Sequence, residues 1–153
     1  APSVLAPAPP PAPRGIHDTL LGIRCRVVPP LWFQTVSEAG RRWVLESMNS
    51  AGQIEIEGVD FPVVLFDEAK ICLCQWLADR FPGADFSEGV VSARGGIRLL
   101  ELDVLLPDED IQHRFALLWK PGRGVSFHLS NTKRFFLYDV KTFTEMVAAA
   151  ELI

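Results

Sequence analysis

Apolar residues along this chain follow two periods, and the places where one gives way to the other divide it into elements. In TLLGIRCRVV, Ile23, Cys25 and Val27 alternate with Arg24 and Arg26, the period-two signature of a strand with one apolar and one basic face. PPLWFQTV (29–36) is a second extended piece, opened by a proline pair that cannot sit in a central ladder. Ser37 to Gly40 reads as a turn into RRWVLESMN (41–49), a hairpin preferred over the competing helix across 32–48. GQIEIEG resumes the alternation and FPVVLF follows it. Further on, IRLLELDVLL (97–106), IQHRFALLWK (111–120) and VSFHLS read as strands, with PDED and PGRG as turns.

Two stretches change period. FPVVLFDEAKICLCQWLADRF (61–81) and KRFFLYDVKTFTEMVAAAELI (133–153) each pass from an apolar run, through Leu-aromatic-Asp, into a spacing near 3.6. Each is expected to be a strand feeding a helix, with Asp67 or Asp139 at the positive end of the macrodipole. The first helix presents Ala69, Cys72, Leu73, Trp76 and Leu77 on one side, the second Phe143, Met146, Val147 and Ala150. The expected fold is therefore α+β, a duplicated ββββα unit: two antiparallel sheets with the helices packed on one side. Residues 1–15 form a Pro/Ala-rich lead-in, 16–153 a single domain, and the halves run from about 17 to 81 and from 96 to 153, joined by a polar, Gly-punctuated connection. Helices on one side would leave two sheet faces open, and function is expected there.

Composition narrows the function. The 153 residues carry a formal charge of −4, which argues against a generic polyanion binder. No apolar run approaches ~18 residues, so no membrane span is expected. Three cysteines, Cys25, Cys72 and Cys74, lack zinc spacing and read as small core residues. No GxGxxG, GxxxxGK[ST] or HExxH occurs. The Ser126/His128 pair has no orienting carboxylate at a recognisable spacing. The expectation is a protein without catalysis, metal or cofactor.

Distribution of charge points further than its sum. Arg24, Arg26, Arg41, Arg42, Arg98, Arg114, Lys120, Arg123, Lys133 and Arg134 gather in the strands and hairpins, while most carboxylates fall in turns and helices. Trp32, Trp43, Phe115 and Trp119 are interleaved with the basic positions, the combination that binds single strands by stacking bases and tracking phosphates. These are the candidate nucleic-acid-binding residues.

The order of elements resembles the Whirly fold of plant single-stranded-DNA-binding proteins and of kinetoplastid mitochondrial RNA-binding proteins that bind guide RNA. The resemblance rests on GIRCRVVPPLWFQTVSEAGRRWVLESMN, LELDVLLPDEDIQHRFALLW and LYDVKTFTEMVAAAEL. Residues 19–24 lack the Lys-Gly-Lys signature of the plant members, which favours the RNA-binding branch. It implies single-stranded RNA, or DNA, as ligand, RNA annealing in editing, a mitochondrial location and a tetramer with a homologous subunit. An alternative role is an assembly subunit of a larger ribonucleoprotein.

Overall fold

The computed structural model describes residues 15–26, 32–36, 42–47 and 50–153. Among these the elements are β1 (Gly15–Asp18), β2 (Ile23–Arg26), β3 (Trp32–Val36), β4 (Arg42–Ser47), β5 (Gln53–Val59), α1 (Phe66–Arg80), β6 (Asp85–Phe86), β7 (Val90–Arg94), β8 (Ile97–Leu105), β9 (Ile111–Lys120), β10 (Arg123–Thr132), α2 (Lys133–Ala149) and β11 (Glu151–Leu152). The fold is α+β, with two antiparallel sheets and two helices. The expected lead-in lies outside the described residues except for Gly15, and so do Arg41 and the side chain of Trp32.

The larger sheet has eight strands in the order β3-β4-β5-β10-β9-β8-β6, with β7 also pairing to β8. The β3–β4 hairpin forms as expected. So does the tight Pro121-Gly122 turn between β9 and β10, where Gly122 takes a φ of 79° that favours glycine. The smaller sheet, β1-β2-β11, ties the chain end back beside β2.

The two helices lie on opposite faces of the large sheet. Leu45, Ile54, Ile56, Ala116, Leu118, Val125, Phe127 and Leu129 pack against Phe136, Phe143, Met146 and Val147 of α2 and against Ile16, Ile23 and Cys25 of the small sheet. Leu100, Leu102, Val104, Phe115, Leu117 and Trp119 pack on the other face against Ala69, Leu73 and Leu77 of α1. The strand that makes this possible is β9: Phe115 to Trp119 is an unbroken apolar run, and all of it is buried. A strand covered on both faces reads as a continuous apolar run instead of an alternation.

Several expectations are corrected here. The helices do not share one side, so no open sheet face is left over where β8, β9 and β10 run. α1 is not fed directly by a strand, since residues 60–65 are irregular, whereas α2 follows β10 without a break; Lys133 to Tyr138, expected as the feeding strand, are instead the first turns of α2. Leu65 and Thr132 occupy the N-cap positions and neither makes a side-chain cap bond. The connection between the halves holds two further strands, β6 and β7. Of the cysteines, Cys25 is buried, and burial pushes its thiol up to about 12, but Cys74 is exposed.

Candidate functional site

The sequence-derived candidates separate into four groups. Phe115 and Trp119 are 0% and 2% exposed and belong to the core under α1, so neither ring can stack on a base. Trp43 packs on the opposite core and its Nε1 donates to Asp18 Oδ2 at 2.7 Å, which occupies its polar edge as well. A second group consists of cations that already have partners. Arg114 grips Asp103 with both ends of its guanidinium, at 2.6 and 3.0 Å, and this hydrogen bonding raises its pKa. Arg42 sits 2.6 Å from Glu55, Arg123 donates to the Gly22 carbonyl at 2.8 Å, and Arg24 faces Glu151 at 3.8 Å across exposed surface. Arg26 and Arg98 are exposed on separate strands, and Lys120 is half-buried at the end of β9. The last group is Lys133 and Arg134, in the first turn of α2.

Two clusters of polar groups follow from this arrangement. One is a seam on the α1 side of the sheet, where Arg80, from the last turn of α1, reaches Glu55 at 3.2 Å and Glu57 at 3.0 Å while Arg42 holds Glu55 from β4. Beside it, His113 Nδ1 and His128 Nε2 stand 2.8 Å apart, with the His128 ring stacked on Phe115 and Phe81 against His113. Burial, then the fields of His113, Arg80 and Arg42, push His128 down to about 2. His113 is lowered as well, by burial first. Both imidazoles are neutral near pH 7, and one N–H serves the other ring. The seam pairs its own charges, since Glu55 and Glu57 each have a cation, and the histidine pair is enclosed by ring packing. Arg42 Nε and the outer His128 Nδ1, however, are buried without a hydrogen-bond partner among the described residues. Ser126, on the same strand face as His128, is buried, with its hydroxyl turned to the Glu57 carbonyl.

The other cluster is not self-satisfied. The outward face of α2 presents Lys133, Arg134, Leu137, Tyr138 and Lys141, with Leu137 79% and Tyr138 76% exposed. The Arg134 guanidinium lies 5.3 Å from the centre of the Phe135 ring. Among the described residues no carboxylate pairs with any of these three cations. Asp139, the nearest acid in sequence, is half-buried and bonded to Asn131, its pKa raised by burial against the effect of that bond. Lys133 and Arg134 also stand at the positive end of the helix macrodipole, where cations are disfavoured. The patch therefore combines cations without an ion-pair partner, beside an acidic turn whose Asp110 carbonyl accepts from the Lys133 amide, with exposed Leu and Tyr, a surface suited to an acidic-rimmed apolar site on another molecule.

Sequence reasoning found Lys133 and Arg134 but missed Leu137, Tyr138 and Lys141. Their signal is spacing: 133, 134, 137, 138 and 141 fall on one helical stripe, visible only once the helix is started at Lys133.

No protein-family model matches the chain. None of the curated proteins is similar enough in sequence to count as a relative. Among solved structures, the solution structure of cyanobacterial PsbP (CyanoP) from Synechocystis sp. PCC 6803 matches with a TM-score of 0.72 at 13% identity, covering 97% of this chain and 97% of that one. The fold is thus similar to that of PsbP and is not the Whirly fold. The readings that rested on the Whirly resemblance fall with it: binding of single-stranded RNA or DNA, guide-RNA annealing and editing, a ribonucleoprotein setting and a mitochondrial location. Among the described residues no helix is long and apolar enough to cross a membrane. What the likeness carries is a PsbP-like architecture.

Proposed function

We propose that this chain is a non-catalytic docking domain of PsbP-like fold, which joins a larger protein assembly through the outward face of the first half of α2. The observation that carries the reading is the unpaired trio Lys133, Arg134 and Lys141 around exposed Leu137 and Tyr138. A thylakoid or lumen-associated site of action is part of the proposal, because a solved structure that shares the fold is a cyanobacterial PsbP.

A protein partner suits the patch better than a lipid surface. Each cation near an anionic bilayer contributes only about 1 kcal/mol, and the chain as a whole is acidic, with a formal charge of −4. Stable membrane attachment needs a second signal that this face does not offer. Tyr and Arg beside an apolar anchor, by contrast, are the residue types that dominate protein interfaces once water is excluded. The partner is accordingly an apolar pocket rimmed by Asp and Glu.

The test is rebinding to salt-washed thylakoid membranes, measured beside protein-free vesicles of the same lipids, over a range of salt concentrations. Saturable binding to the membranes, weak binding to the vesicles and loss of binding in the Lys133→Glu/Arg134→Glu/Lys141→Glu variant are expected. Equal binding by wild type and variant would overturn the reading.

A further inference from the structure

The outer edge of the large sheet beside β8 is formed by β7, and among the described residues nothing pairs with or covers that edge. All five of its residues are exposed, Val90 by 69%. Edge strands ordinarily deter pairing with Lys, Pro, a bulge or a covering loop. VVSAR carries none of these until Arg94, whose guanidinium is turned inward to the Ala150 carbonyl at the end of α2.

The register of the β7–β8 hairpin fixes which backbone groups face outward. Arg94 and Ile97 pair across the two-residue turn Gly95-Gly96, where Gly95 has a φ of 59°. A pair that closes a two-residue turn exchanges both of its hydrogen bonds, and hydrogen-bonded pairs then alternate along the ladder. Val90, Ser92 and Arg94 therefore direct their amides to β8. Val91 and Ala93 direct theirs away from it.

We infer that β7 pairs antiparallel with β7 of a second copy of this chain, about a two-fold axis at Ser92, joining the two large sheets edge to edge. In that register Val91 lies opposite the partner's Ala93, and the outward amides and carbonyls of both residues are satisfied reciprocally, as an isologous contact requires. Val90 lies opposite the partner's Arg94, so the only charged residue of β7 meets an aliphatic side chain and not its own copy. The side-chain register supplies a seat as well. On the α2 side, a groove of about 140 Å³ runs behind β7, lined by Ser92, Arg94, Ile97, Leu99, Val147 and Ala148. Val90 shares the face of Ser92 and Arg94, so each Val90 comes down at the mouth of the other copy's groove. The joint is short, and the dimer it makes is weak and concentration-dependent.

Sedimentation equilibrium from about 10 μM to about 1 mM covers the affinity range of so small an interface. A reversible monomer–dimer equilibrium is expected, and a monomer throughout would overturn the inference. Val91→Pro removes an outward N–H and leaves the β8 ladder intact. It should raise the dimer Kd roughly tenfold or more. Val90→Lys, which places a charge on the edge without touching the backbone, should act in the same direction and guards against a folding defect in the proline variant. A dimer of unchanged Kd in both variants places the contact elsewhere and overturns the inference. Hydrogen exchange supplies an independent reading. Amides of Val91 and Ala93 should gain protection with concentration while those of Ser92 and Arg94 are protected at every concentration; uniform behaviour along β7 would count against the register.

Discussion

The two helices cover opposite faces of one sheet, yet their first turns carry opposite charge. α1 opens with Asp67 and Glu68, which favour the positive end of its dipole, and Lys70 lies 3.6 Å from Asp67. α2 opens with Lys133 and Arg134, which oppose it. Each helix buries one stripe: Ala69, Leu73 and Leu77 from α1, Phe136, Phe143, Met146 and Val147 from α2. Where a helix obeys the local electrostatic preference, stability is enough to account for its surface. Where it breaks that preference with no contact ion pair among the described residues, stability alone does not account for its surface. That difference is the ground on which the proposed docking face is placed on α2.

The comparison is tested first by asking whether both helices are equally structural inside. Phe143→Ala should cost roughly 3–5 kcal/mol and Leu77→Ala roughly 2–5 kcal/mol in denaturant unfolding, because both side chains are fully buried and leave cavities. A Phe143→Ala cost below about 1 kcal/mol would mean that α2 is a loosely held appendage. The second test is outside. Reversing Lys133, Arg134 and Lys141 should weaken docking roughly a hundredfold or more at low salt, and the loss should shrink as salt rises. Reversing Asp67 and Glu68 should leave docking unchanged.

A third test uses acid, since the histidine pair lies on the α1 side. His113 and His128 are held neutral in the folded state, with His128 pushed to about 2, whereas in the unfolded chain both protonate near 6.5. Folded values that lie below the unfolded one give stability that is complete above pH 6.5 and is lost as pH falls from there toward the folded values. The slope is about 1.4 kcal/mol per pH unit for each proton taken up on unfolding. Chemical denaturation between pH 7 and pH 5 should show this decline, and His128→Leu should flatten it. An undiminished slope in that variant would put the acid sensitivity elsewhere.

Much of the architecture was legible because its periods are clean. The alternation in β2 and β5, the β9–β10 hairpin with its Pro-Gly turn, and the buried stripes of both helices are as the sequence pattern predicts. What misled were apolar runs whose period is ambiguous. KRFFLY reads as a strand because Phe and Tyr favour the pleated surface, but burial of Phe136 against the sheet holds it helical. FALLW reads as any strand, and only the packing on both its faces reveals that Phe115 and Trp119 are core. The site followed the same logic. Basic and aromatic residues that looked like one binding surface were separated by the fold into salt bridges and core, and the patch that remains crosses a boundary the pattern had placed six residues too late.

The smallest expected effect bears most directly on why α2 differs from α1. Lys133→Glu/Arg134→Glu places two acids where the dipole favours them and should stabilise the fold, by about 0.3–1 kcal/mol per substitution at low ionic strength. In thermal melts, for a domain of this size, that is an upward shift of about 2–4 °C per kcal/mol. Asp67→Lys/Glu68→Lys should lower stability by a similar amount. A variant that folds better while docking worse is the signature of residues retained for a partner against a small cost in stability. If reversal at 133 and 134 instead destabilises the fold, those side chains have a structural duty within the chain, and the contrast between the two helices loses its functional meaning.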